Sequence, residues 1–141
     1  LNCARGAALA SGTELTVSET EYPYDAMLNN RVMNELFWES LHEVSATEWT
    51  EQEVGLGSTD MGNVSLVVPS IQPNIAITDR EIPVHTIEFA RLCDTPEAYE
   101  TMLVVAKAMA LTGFKVLEDP SLLQRINEEF LESTRSIKQS G

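Results

Sequence analysis

The stretch TPEAYETMLVVAKAMALTG, residues 95–113, decides the fold. Thr95 followed by Pro96 is a helix start, because threonine caps orphan amides and proline loses nothing at a position whose N–H has no intrahelical partner. Gly113 is placed to end that helix, so the pattern predicts a helix from Pro96 to Leu111. Met102 to Ala106 and Ala108 to Leu111 are apolar on nearly every face, which predicts a helix buried between two layers. Such a helix requires partners on both sides.

The sequence supplies candidates for them. Asp119 before Pro120 repeats the start signal, and Leu122, Leu123, Ile126, Phe130 and Leu131 form an apolar stripe opposite Arg125, Glu128, Glu129 and Glu132. Fraying is expected from Ser133 onward. Upstream, Asn30 caps a helix whose apolar positions Val32, Met33, Leu36, Phe37, Leu41 and Val44 recur at three and four, with Asn34, Glu35, Glu39 and Glu43 facing water. A first helix over Ala4 to Ser11 ends at Gly12. Thr13 to Ser18 then alternates, Leu15 and Val17 against Glu14, Thr16 and Ser18, which is the period of a half-buried strand. Ile75 and Ile77 flank Ala76 in a second short strand, Asn74 to Thr78, stopped by Asp79 to Pro83. Helices alternating with short strands predict an α/β fold. Tyr22, Pro23 and Tyr24 lie in an extended connector, Glu19 to Asn29, where a domain boundary would fall. Ser45 to Gly57 reads as an acidic loop around Trp49 and Val54.

Composition narrows the function. The 141 residues hold nine Lys plus Arg against 22 Asp plus Glu, a net charge of −13. That charge repels phosphate backbones and anionic lipid, which argues against nucleic-acid and membrane partners. No apolar run approaches the roughly 20 residues of a membrane span, and the expected location is the cytoplasm. Cys3 and Cys93 are far apart and form no CxxC pair, so they read as reduced thiols. The chain starts at Leu1, inside a helical pattern, and is expected to be a fragment.

Few residues carry chemistry. His42, late on the second helix, has no ligand partner at i+4 and reads as structural. His85 stands just beyond the second strand, with Glu88 at i+3, where α/β folds place functional side chains. GxSxG and the phosphate loop are both absent. Gly57-Ser58-Thr59-Asp60-Met61-Gly62-Asn63-Val64-Ser65 supports two readings. It aims Ser58, Asp60, Asn63 and Ser65 into a cleft, or it is an Asx or Ser turn capping a short helix.

That string, followed twenty residues later by His85-Thr86-Ile87-Glu88-Phe89, resembles the closing part of the aminoacylase/carboxypeptidase-like amidohydrolases. This metal-dependent peptidase family includes p-aminobenzoyl-glutamate hydrolase and the indole-acetyl-amino-acid hydrolases, and the likeness is greatest to the former branch. The resemblance implies the C-terminal segment of a three-layer di-metal exopeptidase-like catalytic domain over residues 25–141. Residues 1–24 would then be the last helix and strand of an inserted α+β lid, which mediates dimerisation in the parent. It further implies hydrolysis of an N-acyl or aminobenzoyl amino acid, with two divalent metal ions, zinc or manganese, in the parent. His85 would be a metal ligand, Glu88 would orient its turn, and Ser58, Asp60 and Asn63 would bind substrate. The general base and remaining ligands would belong to an N-terminal half that these residues lack, so no catalytic residue is expected here. The isolated chain is expected to be inactive, to hold no metal stably and to expose the edge of the Thr13 to Ser18 strand. The alternative is a non-catalytic acidic α/β interaction module in which His85 is structural.

Overall fold

The computed structural model describes residues 1–45, 47–50 and 57–140. These form six helices: α1 (Asn2–Ser11), α2 (Arg31–Val44), α3 (Met61–Ser65), α4 (Ile87–Leu92), α5 (Pro96–Glu118) and α6 (Pro120–Ser140). Helix α2 packs along α5, and α6 closes against both.

Each long helix starts where local stereochemistry requires it. Thr95 and Asp119 both precede proline, which disfavours helical backbone, and both are extended, at φ −125° and −116°. Thr95 Oγ1 accepts the Ala98 amide at 3.3 Å. The Asp119 carboxylate accepts from the Ser121 hydroxyl and from the Ser121 and Leu122 amides at 2.7, 2.9 and 3.3 Å. These bonds, the hydroxyl's first, hold its carboxyl below the usual carboxylate range, and Arg125 adds to the effect.

Helix ends depend more on tertiary partners. Helix α1 ends as predicted at Gly12, which is left-handed at φ 68°. Helix α5 continues through Gly113 to Glu118. A glycine inside a helix costs about 1 kcal/mol. Before it, Val105 and Ala108 pack on the core, and beyond it the ammonium of Lys115 pairs with Glu43 of α2. Likewise α6 runs past Ser133, where fraying was expected.

The core lies between α2 and α5. Phe37, Leu41 and Ala108 are buried together, with Val44, Trp49, Ile71, Ile75, Val104 and Val105 packed around them. The opposite face of α5 carries Met102, Leu103, Met109, Phe114 and Leu117, all more than half exposed. The helix predicted to lie between two layers thus has one layer against it among the described residues.

Neither expected strand is present among the described residues, so the α/β layering is not seen there. Thr13 to Ser18 is irregular and exposed, because no described neighbouring backbone completes a ladder and Leu15 and Val17 are left exposed. Asn74 to Thr78 is also unladdered, although Ile75 reaches the core. The one β pairing in the described residues is an isolated parallel bridge between Asn29 and Ser70. Of the acidic loop, Ala46 and residues 51–56, including Val54, lie outside the described residues. Among the described residues no helix is long and apolar enough to cross a membrane.

Replacing Leu41, fully buried, with alanine should cost about 2–5 kcal/mol in urea unfolding, whereas Leu117→Ala on the exposed face of α5 should cost under about 0.5 kcal/mol. Equal losses would mean that the core is placed wrongly.

Candidate functional site

The motif between Gly57 and Ser65 becomes a short helix. The Thr59 hydroxyl accepts the Met61 amide at 3.2 Å and donates to the Gln72 side chain at 2.9 Å, and the Gly62 and Asn63 amides bond back to the Thr59 and Asp60 carbonyls. Of the two sequence readings, the short helix is present, preceded by a turn that the Thr59 hydroxyl holds, while the Asp60 side chain makes no cap bond.

The helix also has a cleft beside it. The Asn63 side chain accepts the Asp25 amide at 3.1 Å and donates to the Pro23 carbonyl at 3.1 Å. Ser65 Oγ accepts the Leu28 amide at 2.9 Å and donates to the Gly62 carbonyl at 2.7 Å. Gly62 lies under the same segment: a Cβ there would sit 1.8 Å from the Asp25 carbonyl oxygen. Glycine is therefore required for the approach of two backbones. Together these contacts pin the connector against α3, and an open concavity of about 410 Å³ forms between them, lined by Glu21, Tyr22, Pro23, Tyr24, Asp60 and Asn63.

The sequence-predicted residues separate into three places. Asp60 and Asn63 line the concavity, and the Asn63 amide is engaged in holding its wall. Ser58 is exposed and outside the lining. His85 also lies outside it, at the third position of the turn Pro83–Thr86, exposed and left-handed at φ 63°. The backbone there is held by Thr86, whose hydroxyl donates to the Pro83 carbonyl at 2.8 Å and accepts the Phe89 amide at 3.1 Å, capping α4. Histidine enters this region more often than most side chains, yet the conformation is still uncommon. Glu88 lies in the first turn of α4, favourably placed for the helix dipole.

His42 has the structural role expected of it. Its Nδ1 lies 2.9 Å from the Trp38 carbonyl and its ring meets the Trp38 ring edge-on at 4.8 Å. Cys3 and Cys93 are free and exposed.

No three His, Cys, Asp or Glu side chains group as a metal site among the described residues. His85 offers one nitrogen donor, and one donor does not fix a metal that needs three or four. The described residues therefore do not by themselves fit the metal centre that the resemblance implies.

Sequence reasoning missed Tyr22, Tyr24 and Glu21 as cleft walls, Gly62 as the close approach, and Glu129. Glu129 was read as facing water. Its two carboxylate oxygens instead accept the Arg31 and Val32 amides at 2.9 and 2.8 Å, capping α2 from another helix. The available signal was the absence of any acidic residue in the first turn of α2, which leaves its positive end for another element to neutralise.

Gly62→Ala should lower stability by about 1–3 kcal/mol and speed exchange of the Asp25 amide, while Gly113→Ala, with open space around its Cβ, should raise stability by about 0.4–1 kcal/mol. Unfolding titrations of the two variants would show the opposite signs; a neutral Gly62→Ala would remove the basis for the pinned cleft wall.

No family model matches the chain. Two curated proteins do: the Xaa-Arg dipeptidase of Homo sapiens is 34% identical over 133 residues and that of Mus musculus 31% over 132. Each alignment covers 92% of this chain and 30% of the relative, so the chain spans about three-tenths of the length of these proteins. On that evidence the chain is a relative of peptidases, across most of its own length and a minor part of theirs.

Proposed function

We propose that this chain is the C-terminal part of a metal-dependent peptidase that cleaves an amide bond and releases an amino acid with a cationic side chain. The observation that carries the reading is the 34% identity to a dipeptidase whose name specifies arginine after the scissile bond. The cleft chemistry supports it. Glu21, Tyr22, Tyr24 and Asp60 line the same concavity, and carboxylates together with aromatic rings suit a guanidinium or ammonium group. The same carboxylates oppose the glutamate of p-aminobenzoyl-glutamate, so a basic dipeptide is favoured over the N-acyl or aminobenzoyl amino acids of the resemblance. In this reading Asp60 and Asn63 face substrate, with Ser58 beside them, and His85 contributes one imidazole nitrogen to a metal site whose other donors come from the rest of the enzyme.

The three-layer α/β architecture belongs to the whole protein. Residues 1–24 are its lid and dimerisation tail, and residues 25–141 its catalytic part. The exposed face of α5, from Met102 to Leu117, supports this division, because a helix apolar all round is stable only with a second layer on its other side.

The longest product of the gene that carries this sequence should hydrolyse dipeptides ending in arginine, with zinc or manganese supplied, faster than p-aminobenzoyl-glutamate or N-acyl amino acids. His85→Ala should lower kcat/KM by about 100-fold or more, since even residues that only support a metal ligand are worth about 10–100-fold. Asp60→Asn should mainly raise KM for the arginine substrate. Undiminished turnover in His85→Ala would remove that residue from the metal site, and no hydrolysis of any of these amides would favour the acidic interaction module.

A further inference from the structure

We propose that Glu129 of α6 is a positioning residue for the cleft formed by the connector and α3, with Asn30 as the joint between them. The inference rests on reading that cleft as the substrate-facing surface. One continuous piece of backbone, Pro23 to Val32, forms the cleft wall at one end and the first turn of α2 at the other. At the wall, Asn63 holds the Pro23 carbonyl and the Asp25 amide, and Ser65 holds the Leu28 amide. At the helix, the two oxygens of Glu129 hold the Arg31 and Val32 amides, and its carboxylate lies 4.0 Å from Arg31 Nε.

Asn30 fixes the point between. It is buried, its Nδ2 donates to the Ile126 carbonyl at 3.0 Å, its Oδ1 accepts the Met33 amide at 3.0 Å, and its backbone N–H donates to the Ser70 carbonyl at 2.9 Å. Ile126 and Glu129 are three apart on α6, so one face of that helix holds both the joint and the helix end. Ser70 follows α3 closely in the chain, so the joint ties α6 to the cleft by a second route.

A carboxylate is suited to this task. Two N–H donors at the positive end of a helix bind an anion more strongly than a neutral acceptor, and α2 has no acid of its own in its first turn. Were Glu129 only a cap, its loss would loosen α2 alone. Because the capped residues continue directly into the cleft wall, its loss should loosen both.

The test compares Glu129→Gln and Glu129→Asp with the exposed neighbour Glu128→Gln, by amide hydrogen exchange in the 141-residue chain. In Glu129→Gln, exchange should rise about tenfold at Arg31 and Val32 and also at Asp25 and Leu28, while the Phe89 and Ala98 amides, capped by Thr86 and Thr95, keep their rates. Glu129→Asp, which keeps the charge on a shorter arm, should give a smaller rise at the same four amides and guards against a glutamine variant that fails to fold. In the longest gene product, Glu129→Gln should raise KM for an arginine dipeptide severalfold with kcat within about twofold, the split expected when a binding surface rather than a reacting group is disturbed. Exchange that changes at Arg31 and Val32 alone would overturn the proposal, as would an unchanged KM beside loosened Asp25 and Leu28. If the gene product hydrolyses no dipeptide, the proposed function falls, while the four exchange rates still decide whether Glu129 fixes the cleft wall.

Discussion

The hydrogen-bonded joint at Asn30 is the constraint on which the rest of the structure depends. Three separate pieces of chain meet there: the connector running into the start of α2, the segment after α3 and the middle of α6. Each contact satisfies a polar group that would otherwise be buried without a partner, and an unsatisfied group of that kind costs about 1–3 kcal/mol. With Glu129 completing the cap, α2 is held at its first turn and can present Phe37 and Leu41 to α5. The cleft beside α3 is the other side of the same arrangement, since its wall is the backbone entering the joint.

Helix α5 shows how function and packing are divided. Its inner face, from Val104 to Ala108, fills the core with α2, while Met102, Met109, Phe114 and Leu117 remain exposed. The chain matches three-tenths of the length of its relatives, and the half-covered apolar helix accords with the proposed larger enzyme. In the proposed enzyme that face meets the remaining layer, which also completes the donors around His85.

What was legible in the sequence was local. Thr95-Pro96, Asp119-Pro120, Asn30 and Gly12 set boundaries by stereochemistry within a few residues, and each boundary lies where its chemistry places it. The end of α5 was not legible, because the cost of Gly113 was offset by residues beyond it, among them Lys115 reaching Glu43 seventy-two positions away. The alternation of Leu15 and Val17 reports a face that could be covered, not the backbone that would pair with it. In the candidate site, Asp60 and Asn63 were legible as small polar residues around glycine in a turn, while their proposed substrate role came only from the resemblance. Glu129 escaped because its partners lie 97 and 98 residues upstream, a separation that helical periodicity does not encode.

The most direct measurement is the unfolding free energy of Asn30→Asp. Aspartate caps a helix about as well as asparagine, so a residue that served α2 alone would tolerate the change. Asn30 also donates to the Ile126 carbonyl, and the Glu129 carboxylate accepts the amide of the next residue, Arg31; aspartate would lose the first contact and add a negative charge near the second. The account predicts a loss of about 1–3 kcal/mol at neutral pH. Stability equal to or above that of the parent chain would contradict it.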